Sequence, residues 1–248
     1  MDAFQIHRGE LVSLVGGGGK TSTLFTLGKE AMHRGIRVVI TTTTRILLSE
    51  AVLGQHIIMA EGSEIFEEVK KGLTEFPLIV AGSGIGEGDK LLGVEKNVVS
   101  SFLKAGADIV LVEADGSAGL PFKAPRDGEP VIPAETTVVV PVVGIDCLGR
   151  PLLPHFIHRP EIVAALTGKT LGQKVDPQTV ADVFFHPRGY SKGIPSGSRW
   201  IPFINKVDNN HQLEMARELA ERMGQYRSGR VVVGAALSTN PVKEVLDF

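Results

Sequence analysis

Residues 10–25 read ELVSLVGGGGKTSTLF: an apolar run, four glycines from Gly16 to Gly19, then Lys20, Thr21, Ser22 and Thr23. Glycine costs conformational entropy on folding, so a run of four asks for a reason. The apolar run Glu10–Val15 predicts a buried strand. Lys20–Arg34, with Leu24, Leu27, Ala31 and Met32 recurring on one face, predicts a helix closed by Gly35. A strand, a glycine turn and a helix opened by Lys-Thr form a phosphate-binding arrangement, in which backbone N–H groups and the positive end of the helix face an anion. Lys20 then reaches the terminal phosphates and the Thr21 hydroxyl ligates Mg²⁺. The long pattern G-x-x-x-x-G-K-[ST] fails, because Leu14 stands where its first glycine belongs. The shorter Gly16-x-x-Gly19-Lys20-Thr21 fits.

Outward from this loop, further strands are expected at Ile36–Ile40, His56–Met59, Pro77–Ala81, Asp108–Val112, Thr136–Val143, Trp200–Ile204 and Arg230–Val233. Helices are expected at Ser63–Leu73, around Glu95–Ala105, and at His211–Met223. The strands are continuous apolar runs, which fits burial on both faces of a mostly parallel sheet. The predicted fold is therefore α/β, a P-loop nucleotide-binding fold, in one domain over residues 1–248. Twelve of the fourteen prolines lie between Pro121 and Pro202, which marks an inserted lobe of loops and short elements over residues 117–199.

In such folds ligands sit at the carboxyl ends of strands, so the residues after each strand carry the chemistry. IRVVI is followed by Thr41–Thr44, of which Thr43 and Thr44 are candidate contacts to phosphate oxygens or metal-bound water; plain strand propensity also explains threonines there. DIVLV ends in Glu113-Ala114-Asp115-Gly116. Carboxylates at i and i+2 point the same way from a strand, so Glu113 and Asp115 are candidate catalytic and Mg²⁺-binding groups, with their division of labour open. WIPFI ends in Asn205-Lys206-Val207-Asp208, the N-K-x-D pattern with which GTP-binding proteins read guanine. Asn205, Lys206 and Asp208 are candidate base contacts, although Asp208 or Asn209 as a helix cap remains open. Val233–Leu237 resembles, loosely, the segment that lays amides on the guanine oxygen. The candidate nucleotide-binding set is thus Gly16, Gly17, Gly18, Gly19, Lys20, Thr21, Ser22, Thr43, Thr44, Asn205, Lys206 and Asp208. Lys20, Glu113 and Asp115 are the candidate catalytic residues, and Thr21, Glu113 and Asp115 the metal ligands.

Other features read as background. GSGIGEG at Gly82–Gly88 misses G-x-G-x-x-G and reads as a mobile loop. His155 and His158 lack partners for a metal. Lys123, Arg126, Lys192 and Arg199 read as solvated surface or contacts for an anionic second substrate. The net charge of −2 and pI near 6.4 exclude a nucleic-acid footprint. One cysteine, Cys147, excludes an internal disulfide, and no apolar run approaches a membrane span. A cytoplasmic protein is expected.

The segments GGGGKTST, VVITTTTRI, VLVEADGSAGLPFKAP, VVGIDCLGRPL, FHPRGYSKGIP and NKVD resemble the YqeC family of accessory proteins for selenium-dependent molybdenum hydroxylases. The resemblance runs from Gly16 to Asp208 and carries the short phosphate loop with it. It implies a nucleotide-binding protein, an NTPase using GTP or ATP with Mg²⁺, that serves maturation of the hydroxylase or its selenium or molybdenum cofactor. Two rivals stay open: a small-molecule kinase or ATP-dependent ligase, and a non-catalytic, nucleotide-gated module that delivers a cofactor.

Overall fold

Apolar segments without a wet face can satisfy their backbone only by pairing on both edges, and that is what they do in the computed structural model, which describes residues Met1–Phe248. In chain order, β1 (Glu10–Gly16) passes through the glycines into α1 (Lys20–His33) and on to β2 (Val38–Thr42). Then come β3 (Arg45–Leu47), α2 (Leu48–Ala51), β4 (His56–Met59), α3 (Glu64–Gly72), β5 (Leu78–Gly82), β6 (Gly84–Gly86), β7 (Lys90–Leu92), α4 (Ser101–Lys104) and β8 (Ile109–Glu113). The second half holds β9 (Val138–Gly144), α5 (Pro160–Thr167), α6 (Pro177–Phe185), β10 (Arg199–Trp200), β11 (Phe203–Asn205), α7 (Asn210–Gly224), β12 (Arg230–Gly234) and β13 (Val242–Asp247). The main sheet runs β13-β12-β11-β9-β1-β8-β2-β5-β4, with β10 also on β9. Every pair in it is parallel except β12 with β13. The expected α/β P-loop architecture is therefore present, with the glycine-loop strand at its centre between β8 and β9.

One face of the sheet carries α1, whose Leu24, Leu27 and Ala31 bury with Val12, Leu14, Leu111 and Val140. On the other face, Ile65, Val69 and Phe102 of α3 and α4 cover Leu11, Val39 and Val110. Beside them, Val180 and Phe184 of α6 and Leu219 and Met223 of α7 cover Val139, Val143 and Ile204. The proline-rich stretch thus shares its buried cluster with the sheet. Both of its helices begin with proline at the first turn, Pro160 and Pro177, where a missing N–H costs nothing.

Several expectations need correction. The second strand begins two residues late and takes in Thr41 and Thr42, because its pairing with β8 runs from Val38↔Ile109 to Thr42↔Glu113. The helix expected around Glu95–Ala105 shrinks to Ser101–Lys104, preceded by turns. Trp200–Ile204 is two short strands, broken at Ile201-Pro202. The break faces Pro141 inside β9: β10 pairs as far as Val139, β11 resumes at Val142, and a residue without an N–H falls in the gap. The segment Gly82–Gly88 forms most of a β6–β7 hairpin on β3, with Ile85 opposite the buried Leu91. Strand β13 has alternating polar residues, and no expectation covered it. No helix is long and apolar enough to cross a membrane.

Candidate functional site

The four glycines are needed first by the protein itself. Gly16, Gly18 and Gly19 have φ of +101°, +78° and +111°, a region L side chains rarely adopt. A Cβ on Gly16 would lie 2.3 Å from the Val142 carbonyl oxygen, one on Gly18 2.0 Å from the Gly144 nitrogen, and one on Gly17 2.8 Å from the Leu120 oxygen. The loop is wedged between the end of β9 and the segment 120–122. Its first amides are already spent: Gly17 donates to Val142, Gly18 to Leu120, and Gly16 to both oxygens of Asp115 at 3.0 and 3.1 Å. The first bond within α1 is from Thr23 N–H to the Gly19 carbonyl. The N–H groups of Gly19, Lys20, Thr21 and Ser22 therefore have no acceptor, as the first amides of a helix do.

Lys20 is 2% exposed. Its ammonium donates to the Gly16 carbonyl at 2.8 Å and lies 3.4 Å from Asp115 and 3.8 Å from Glu113. The two carboxylates after β8 have different surroundings. Glu113 accepts the Thr21 hydroxyl at 2.7 Å. Burial pushes its carboxyl above the usual range, against the pull of Lys20 and Thr21. Asp115 is fully buried. Beyond the Gly16 amide it meets the Lys123 ammonium at 2.9 Å and the Tyr190 hydroxyl at 3.1 Å, so its acceptor positions are occupied by protein.

Lys123 is also fully buried, which corrects its reading as solvated surface. It continues to Glu129 at 3.0 Å and to the Gly116 carbonyl at 2.7 Å. Arg159 clamps Glu129 with both terminal guanidinium nitrogens, Nη1 and Nη2, at 2.5 and 3.0 Å. Burial alone would raise the Glu129 carboxyl, but the hydrogen bonds from Arg159 and Lys123 outweigh it and hold the group at about 2. Tyr190 is pushed well above its ordinary value, by burial and then by Asp115. This chain of charges ties the glycine loop to the proline-rich lobe. Sequence reading missed Tyr190, Glu129 and Arg159 because the lobe has no periodicity; the cue available was a lysine set in the apolar LPFKAP.

The threonine run serves the backbone. Thr41 donates to Ala81, Thr42 to the Glu113 carbonyl and Thr43 to Val131, while Thr44 closes a turn on the Thr42 hydroxyl. Of the remaining surface candidates, Arg126 bonds Glu129, Lys192 donates to the Arg126 carbonyl, and Arg199 pairs with Glu10 and the Gln5 carbonyl. No group of three or more His, Cys, Asp or Glu side chains is arranged to hold a metal.

Asn205, Lys206 and Asp208 lie 185 or more positions from the loop in sequence and beside it in space. Asn205 is buried. Its amide nitrogen donates to the Gly18 carbonyl at 2.8 Å, and its oxygen accepts the Ala236 N–H at 2.8 Å. Strands β11 and β12 are parallel neighbours, so Asn205 and Gly234 end at one level. A cavity of about 230 Å³ opens there, lined by Gly19, Ser22, Asn205, Lys206, Asp208 and Ala235–Ser238. The cap of α7 is Asn209, whose side chain accepts the Gln212 N–H at 2.9 Å. The Asp208 carboxylate caps nothing and is exposed at the cavity.

A family model described as YqeC protein matches residues 12–161. The Escherichia coli (strain K12) protein named Uncharacterized protein YqeC is 30% identical over 220 residues, covering 88% of this chain and 84% of its own. A crystal structure of the signal recognition particle 54 kDa protein from Aeropyrum pernix K1 in complex with GDP aligns with 96% of this chain at 18% identity and a TM-score of 0.43. The chain spans 43% of that structure's length.

Proposed function

The chain belongs to the YqeC family, and we propose that it binds a nucleoside triphosphate with Mg²⁺ and prefers guanine. The observation that carries this is the shared cavity: the start of α1, the NKVD segment and Ala235–Ser238 line one space of about 230 Å³. The phosphates would take the free amides of Gly19–Ser22 and, displacing its bond to Gly16, the Lys20 ammonium. Mg²⁺ typically keeps several waters and uses one or two protein oxygens beside the phosphates. The Thr21 hydroxyl and Glu113, already 2.7 Å apart, fit that demand. Asp115 fits it poorly, since its oxygens are engaged, and acts instead by holding the loop. When bound, the ion neutralises charge developing on the phosphates. Glu113 and Lys20 are the groups placed to support hydrolysis.

Guanine presents two donors, which a free carboxylate at Asp208 accepts; adenine offers an acceptor at the equivalent ring nitrogen and leaves Asp208 poorly paired. The Ala236 N–H is engaged by Asn205, and this fixes the Ala235–Ser238 segment against the loop. In the cell we assign this nucleotide site to maturation of selenium-dependent molybdenum hydroxylases, a role supported by the family resemblance of GGGGKTST, EADG and NKVD. Calorimetric titration with GTP and ATP, with and without Mg²⁺, tests the reading. Tighter GTP binding that needs Mg²⁺ is expected; absence of binding to either nucleotide refutes it.

A further inference from the structure

The role of Lys206 in the base cavity depends on where its long side chain is held, and one contact holds it. Its ammonium lies 2.9 Å from Oδ2 of Asp146, just past the end of β9. Both side chains are about two-fifths exposed, 39% each, so the pair contributes little to folding stability. Two features make it costly nonetheless. Lys206 sits at φ +64°, a left-handed conformation that a non-glycine residue adopts only under constraint. The other oxygen of Asp146, Oδ1, is buried without a hydrogen-bond partner. Both side chains settle over Gly144: a Cβ there would stand 2.3 Å from Asp146 Oδ1 and 3.2 Å from Lys206 Cδ. Gly144 in turn packs on Gly18 of the phosphate loop.

We propose that Asp146 is a positioning residue for the base subsite, holding the Lys206 ammonium so that the lysine stem walls the cavity in which guanine lies. The inference rests on the guanine reading above. Its physical logic is competition. A free ammonium at this place would be drawn towards the triphosphate gathered by Lys20 and the start of α1. With its charge met by Asp146, Lys206 keeps its head off the phosphates and leaves its apolar stem for the face of the base.

The test compares GTP, ATP and inorganic tripolyphosphate, each with Mg²⁺, binding to the full chain and to Asp146→Asn and Lys206→Met. In the parent, GTP binds more tightly than ATP. Asp146→Asn lowers GTP affinity roughly tenfold, the scale of coupling within one contacting pair. It leaves tripolyphosphate and the melting temperature unchanged. Lys206→Met keeps the stem but loses the tether and shows the same loss, and the double variant falls no further than either single one. A GTP preference as strong in both variants as in the parent overturns the tether alone. GTP and tripolyphosphate falling together also overturn it, because the pair then acts through general charge or folding. Equal binding of GTP and ATP by the parent overturns the guanine reading on which the inference stands.

Discussion

The two aspartates that follow strands β8 and β11, Asp115 and Asp208, have the same side chain and opposite environments. Asp115 is fully buried and saturated: the Gly16 amide, Lys123 and Tyr190 use its oxygens, with Lys20 close by. Asp208 is exposed, caps no helix and leaves its carboxylate free. A carboxylate already satisfied by protein has little left for a ligand; one held free at a cavity wall costs the fold nothing and keeps its full capacity for binding. The Asp115 end is therefore built for stability, and the Asp208 end keeps a polar group free for a ligand.

The sharpest way to break this contrast is Asp115→Ala. Removing one partner from a buried charge network leaves Lys123 short of a counter-charge and the Gly16 amide without an acceptor, at a cost of about 3–5 kcal/mol. Urea unfolding should show that loss; a change below about 1 kcal/mol would mean the network does not hold the loop. Acid probes the same wiring. The Glu129 carboxyl is held at about 2 in the fold, below its ordinary value of 4.5. Its stabilising contribution is thus fully present above about pH 4.5 and is lost as the pH falls towards 2. Urea midpoints measured between neutrality and acid should fall through that window in the parent and fall less steeply in Glu129→Gln.

At the junction of the two ends, Lys20→Ala removes a charge-assisted contact to phosphate, worth about 1.5–3 kcal/mol, so nucleotide affinity should drop by roughly 10- to 100-fold in calorimetry. Undiminished affinity would remove the lysine from the site. Asp208→Asn is the most selective change. The ratio of GTP to ATP affinity should collapse towards one, while the melting temperature stays put, since surface changes of this kind move stability by no more than about 0.5 kcal/mol. A fall in melting temperature with the guanine preference intact would give Asp208 a structural role and erase the contrast.

Much of this was legible along the chain. Glu10–Gly16 and Ile109–Glu113 are apolar runs ending in chemistry, and a buried parallel strand writes itself as such a run because neither face can carry polar groups. The order strand, glycines, Lys-Thr, helix is local, and so are the turn and the helix start it encodes. NKVD was equally local, and its spacing alone marked Asn205, Lys206 and Asp208. The proline-rich stretch showed only that it lacks long regular elements.

What no local pattern held is who pairs with whom. The Asp208 question, cap or free carboxylate, was settled by Asn209 taking the Gln212 amide. The threonine run looked like ligand chemistry, yet the hydroxyls of Thr41, Thr42 and Thr43 donate to backbone carbonyls, because the acceptors at Ala81, Glu113 and Val131 come from distant segments. Lys123 looked like surface until Asp115 and Glu129 enclosed it. The sequence by itself determined the strands, the glycine turn and the carboxylates that end on one edge, since these follow from periodicity and backbone chemistry within a few residues. Only the tertiary structure decided which hydroxyls, amides and charges remain free for a ligand, because a polar group is spent or free according to partners that the fold brings from as far as 210 residues away.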